Sequence, residues 1–99
     1  MDNKKLIISK IAEEFQIEED FYNNGSGLRR YTYPRKALCM TLKKYELMNL
    51  VDIAKLLGFV SHASVKYHLR DGEGMYDTLD PFREKMDRIY SYANQIYYK

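Results

Sequence analysis

Apolar residues recur along this chain at three- and four-residue spacing, the signature of helices that bury one face. Between Lys4 and Phe15, Ile7, Ile8, Ile11 and Phe15 form one such stripe, and Asp2 or Asn3 is placed to cap its start. Ile17 and Phe21 carry the pattern into a short second turn or helix, and residues 23–27 (Asn-Asn-Gly-Ser-Gly) then break it. Tyr33-Pro34 opens the next element, because proline suits a first helical turn where its missing N–H costs nothing. Ala37, Leu38, Met40, Thr41, Tyr45 and Met48 predict a helix from about 34 to 47.

Asn49 is a good cap for a short helix carrying Leu50, Ile53, Ala54, Leu56 and Leu57, and Gly58 suits its left-handed end. Ser61 caps a further helix through Val65 and Leu69, which Asp71-Gly72-Glu73-Gly74 is expected to terminate. Asp80-Pro81 opens a long last helix with a stripe of Phe82, Met86, Ile89 or Tyr90, Ala93, and Ile96 or Tyr97. Neither strand alternation nor an internal repeat is present. The pattern predicts one small all-α, multi-helix domain over residues 1–99, with an additional C-terminal helix within residues 75–99.

Composition agrees with a single core: 99 residues, 45% hydrophobic and 30% charged, are too apolar for a disordered chain. No apolar run approaches the roughly 18 to 20 residues that cross a bilayer, so no membrane partner is expected. The first residues lack a small-residue cleavage site, and the lone Cys39 has no internal partner. A reduced, cytoplasmic protein is the expectation.

Charge changes the picture. Residues 27–70 hold nine basic side chains against Glu46 and Asp52, a net +7, whereas residues 1–26 sum to −3 and residues 71–99 to −2. A basic middle between acidic flanks is the footprint of a face that meets a polyanion.

Enzymatic chemistry finds little support. The two Gly-x-Gly pairs carry neither a phosphate-loop lysine nor a dinucleotide fingerprint, so no nucleotide site is expected. Cys39 lies among apolar helix positions, where a packed thiol is the simpler reading. His62 and His68 are six residues apart and point about 240° from each other on a helix, unable to share a metal locally. The expectation is no catalysis, no metal and no cofactor.

Between Asn49 and Arg70 the chain follows helix-turn-helix grammar: a capped short helix, a glycine turn, then a second capped helix. Ala54 is small where the helices cross, and Ile53, Leu57, Val65 and Leu69 supply their contact. The opposite side of the second helix then presents Ala63, Lys66, Tyr67 and Arg70, with Ser61, His62 and Ser64 at its N-terminal end.

These residues resemble a known family. Tyr33-Pro34-Arg35-Lys36-Ala37, the run from Leu50 to Gly58 (Leu-Val-Asp-Ile-Ala-Lys-Leu-Leu-Gly), and Ser61-His62-Ala63-Ser64-Val65 are similar, in order and spacing, to the C-terminal DNA-binding domain of DnaA, the bacterial replication initiator. With the helix around Ile11–Ile17 and Phe21, the likeness covers Leu6 to Arg70, about two-thirds of the chain. It implies a Trp-repressor-like fold that binds duplex DNA sequence-specifically, with the helix from Ser61 in the major groove. Ser61, His62, Ala63 and Ser64 stand where the family reads bases, and Arg35 and Lys43 where it has basic residues near phosphate. Gly27 falls at the family's minor-groove arginine, so Arg29 or Arg30 would serve there after a small loop shift.

The departures are specific. Phe59-Val60 replaces Gly-Arg, Ser61 replaces an aspartate and Ala63 a threonine, so the family's DNA box is not expected to carry over. The Tyr-rich helix has no counterpart, and no nucleotide-binding module stands within these 99 residues.

The resulting expectation is a replication- or transcription-associated factor of a bacterium or mobile element, associated with the nucleoid. Ser61, His62, Ala63 and Ser64 would read bases; Arg29, Arg30, Arg35, Lys36, Lys43, Lys66, Tyr67 and Arg70 would meet the backbone or minor groove. The alternative is a protein-interaction or scaffold module that keeps the fold without base reading. Tyr90, Tyr92, Tyr97 and Tyr98 exceed what one stripe buries; they are placed either to pair two copies of the chain or to fold back over its own core.

Overall fold

The computed structural model describes residues 3–23 and 29–97, which form five α-helices and two 3-10 turns. Asp2, residues 24–27 and Tyr98, each given a part by the sequence pattern, lie outside the described residues.

The central element is not the longest helix but the one with the most buried positions. The first helix, α1 (Asn3–Phe15), buries one stripe of Ile7, Ile8, Ile11 and Ala12. The second, α2 (Thr32–Lys44), buries eight consecutive or near-consecutive positions from Pro34 to Leu42. A helix buried nearly all round must be covered on several sides, and α1, α4 (His62–Thr78) and α5 (Asp80–Tyr97) surround it, with 3-10 turns at Glu19–Tyr22 and Arg29–Tyr31. Thr41, fully buried, satisfies its hydroxyl by donating to the Ala37 carbonyl at 2.8 Å.

Helix α2 ends earlier than the expected position 47. Glu46 takes a left-handed conformation (φ 52°), and the Leu47 N–H donates back to the Leu42 carbonyl at 3.0 Å. That is a Schellman end made without glycine. The end of α1 is built alike, with Gln16 at φ 56° and Ile17 donating to Ala12. Tyr45 is buried as a cap rather than as a further helical turn, its hydroxyl donating to Asn94 Oδ1 at 2.7 Å on α5.

The expected stop of α4 at residues 71–74 is corrected: the helix runs on to Thr78. Gly72 is buried where α4 crosses α2, and a Cβ there would lie 2.5 Å from Met40 Sδ. Glycine costs a helix interior about 1 kcal/mol; here it leaves room for the Met40 side chain, which would have to shift to admit an alanine.

The last helix folds back. Phe82, Met86, Ile89 and Ala93 bury one stripe of α5 against α1, α4 and α2. Tyr90 tilts against Tyr45 and Tyr76, and Tyr97 stacks on Tyr45 at 5.9 Å between ring centres. Arg88 on α5 reaches Glu14 on α1 at 2.7 Å. Three of the four tyrosines offered for dimerisation, Tyr90, Tyr92 and Tyr97, are part-buried against this chain's own core.

Candidate nucleic-acid interface

The helix-turn-helix begins at α3 (Leu50–Leu57), whose start is fixed by the Asn49 side chain accepting from the Asp52 N–H at 2.8 Å. Gly58 ends it in the left-handed conformation (φ 73°). Its N–H donates to Lys55, and the Phe59 N–H donates to the Ala54 carbonyl at 2.8 Å. Phe59 turns inward, its ring 4.9 Å from that of His68. Ser61 is extended and accepts from the Ala63 N–H, which starts α4. Ile53, Ala54, Leu57 and Val65 are buried and hold α3 against α4. The Asn49 and Ser61 caps and the Gly58 turn agree with the sequence, because caps and turns are written in neighbouring residues; the inward turn of Phe59 onto His68 is an addition.

What the turn presents is the N-terminal end of α4. Ser61, His62 and Ala63 are exposed and Ser64 half-buried, its carbonyl bonded to His68 Nδ1 at 3.0 Å. Lys66 and Arg70 are exposed one turn apart, with Tyr67 (61% exposed) between them. Lys43, at the end of α2, is exposed as well. No described carboxylate forms a salt bridge with Lys43, Lys66 or Arg70. From Ile53 through Arg70 the sequence contains no acid at all.

Other expected contacts are placed differently. Lys36 is corrected: it is 4% exposed, turned inward, with its Nζ 3.4 Å from Asp71 Oδ2, and therefore is not on the surface that a backbone phosphate could reach. The reason is the α2–α4 crossing, which brings Asp71 over a position that α2 buries. Arg35 is half-buried and its Nε donates to the Phe21 carbonyl at 2.8 Å, so it ties α2 to the first 3-10 turn. Arg30 is exposed but bonded to Glu18 at 2.6 Å, with its guanidinium over the Tyr31 ring. Arg29 is exposed in the second 3-10 turn. The structure thus gathers Ser61, His62, Ala63, Lys66, Tyr67 and Arg70 on one exposed helix. It leaves Arg30, Arg35 and Lys36 engaged with the protein itself.

Two exposed residues at this end were not singled out by the sequence: Lys55 on α3, and Val60 in the turn, whose side chain is fully in solvent. Lys55 was visible only as part of the basic segment. Val60 entered only as a departure from the family's Gly-Arg, with no role of its own, since a lone apolar residue in a turn matches no motif.

A scan against protein-family models and a search of curated proteins return no match. The reading of this face therefore rests on its own chemistry.

No described group of three or more His, Cys, Asp or Glu side chains is arranged to hold a metal, and no described helix is long and apolar enough to cross a membrane. The Cys39 thiol is buried, and burial pushes its pKa up to about 12, which keeps it protonated and unreactive at neutral pH.

Burial also pushes the His68 imidazole below its ordinary value of 6.5; the Lys36 charge adds to this, against the pull of the Ser64 carbonyl and Asp71. A lowered histidine pKa means that the unfolded chain binds the extra proton more readily than the folded one. Stability is then complete above 6.5 and declines as pH falls below it. Urea melts at about pH 7.5 and about pH 5.5 should show this decline, and His68→Gln should flatten it.

Proposed function

We propose that this protein binds double-stranded DNA, laying the N-terminal end of α4 in the major groove as a DnaA C-terminal-like helix-turn-helix module. The observation that carries the reading is the first half of α4: capped, held out by a rigid turn, acid-free, and faced by Lys66 and Arg70 with no described carboxylate paired to either. Phosphate oxygens are the complement of such a surface, and short side chains at the helix tip admit base edges. Ser61, His62 and Ser64 are the candidate base-reading polar groups, with Ala63 allowing close approach. Lys43, Lys66, Tyr67 and Arg70 are the candidate backbone contacts, and Arg29 the candidate for a neighbouring minor groove. A module of this size covers about 600–1,000 Å² of its own surface on DNA.

Selection from a random duplex library, followed by titration of the enriched duplex against salt, tests the proposal. The expected result is an enriched motif whose affinity falls steeply as salt rises. Salt-sensitive binding without a motif removes the base-reading roles. Absence of binding at low salt overturns the proposal and leaves the protein-interaction module as the reading to pursue.

A further inference from the structure

We propose that Val60 reads DNA sequence by packing against the C5 methyl group of a thymine. This inference rests on the DNA-binding reading above and adds one chemically named contact to it.

Single exposed apolar residues are common on protein surfaces and mean little by themselves. Val60 differs in how it is held. Its side chain is 104% exposed, so nothing in the protein covers it. Yet both neighbours are fixed: Phe59 is tied by its N–H to Ala54 and by its ring to His68, and Ser61 is the extended cap of α4. A β-branched side chain is restricted at χ1, so less conformational freedom is lost on contact than for a long unbranched one. The chain therefore presents a stiff apolar knob at the tip of the helix proposed to enter the groove.

The rest of that tip narrows the choice of ligand. The strong bidentate pairings of the major groove use Arg or Lys with guanine and Asn or Gln with adenine. None of these residues lies among Val60, Ser61, His62, Ala63 and Ser64. The Ser61 hydroxyl already accepts the helix-capping bond. What the tip offers is an apolar group beside a small alanine and an imidazole. The thymine methyl is the apolar group that base pairs display in the major groove. Lys66 and Arg70 on the same helix, with no acid from Ile53 to Arg70, favour nucleic acid over a protein as the partner that meets this knob.

The test uses the duplex obtained by selection. Each thymine in the site is replaced in turn by deoxyuridine, which removes the methyl and keeps every donor and acceptor. At one position the replacement should weaken wild-type binding roughly fourfold, the value of one buried methyl. Val60→Ser should weaken binding to the parent duplex by a comparable factor and become insensitive to uridine at that position. Because Val60 touches nothing inside the protein, the thermal melt of Val60→Ser should superimpose on that of the wild type, which separates readout from folding. If no thymine is sensitive, or Val60→Ser keeps the full uridine penalty, the inference is overturned while duplex binding by the wild type stands. Binding without an enriched motif overturns it too, and a wild-type protein that binds no duplex overturns both readings together.

Discussion

Lys66→Ala combined with Arg70→Ala should lower affinity for duplex DNA by roughly 10- to 100-fold near 0.1 M salt, and should reduce the salt slope by about 1.8. Each cation that meets a phosphate contributes about 0.9 to that slope through counterion release, and two are removed. The two side chains sit one turn apart on the exposed side of α4, neither paired with a described carboxylate. They therefore pay no cost in broken protein contacts on reaching phosphate. Exposed substitutions of this kind leave stability within about 0.5 kcal/mol, so the melting curve should hardly move. Lys85→Ala is the control for a single charge: it removes one positive charge from α5, where Lys85 lies over the Phe15 ring, and should leave affinity unchanged. A loss from Lys85→Ala as large as that from Lys66→Ala alone would mean that net charge, rather than this face, governs binding.

Asp71→Ala should lower stability by about 2 kcal/mol, or roughly 8–16 °C in melting temperature, a large effect for a half-exposed residue. The substitution strands the Lys36 ammonium, which is 4% exposed and has Asp71 Oδ2 at 3.4 Å. Breaking a fully buried pair costs about 3–5 kcal/mol; the Asp71 carboxylate is 44% exposed, so water recovers part of that. Lys36→Met should cost little, because a buried pair and a well-packed apolar side chain are often close in stability. The double variant Lys36→Met with Asp71→Ala should then recover most of the loss. Urea midpoints of the four proteins check this cycle. A double variant as unstable as Asp71→Ala alone would show that Asp71 matters for some reason other than Lys36.

That buried pair also marks where reading from sequence stops. Features encoded within four or five residues were legible: the stripe of α1, the Asn49 and Ser61 caps, the Gly58 turn, the first-turn prolines. The exposed set Ala63, Lys66, Tyr67 and Arg70 followed from α4 periodicity alone, once Val65 fixed the buried side. The inward turn of Lys36 has no local signal, because its partner is thirty-five residues away and meets it only after α2 and α4 cross. Gly72 signals a stop for the same reason: its local preference points to a helix end, whereas its contact with Met40 is tertiary. Arg30 and Arg35 carried the right charge in the right segment, but Glu18 and the Phe21 carbonyl engage them from the first 3-10 turn. Charge counts locate a basic segment; they do not tell which of its cations the fold keeps for itself.

The unbroken course of α4 through Gly72 has a mechanical consequence. Seventeen residues make a rod about 25 Å long. Its far end is gripped by α5, where the Arg83 guanidinium donates to the carbonyls of Tyr76 and Asp77. With no break along its length, α4 moves together with α2 and α3 packed on it, and a tilt of about 5° of the helix as a whole displaces His62 by about 2 Å, more than half the spacing of successive bases. Arg83 and Tyr90 of α5 thus share with α2 and α3 the setting of that angle, and substitutions at Arg83 or Tyr90 should reach the proposed DNA-reading tip from the opposite end of the helix.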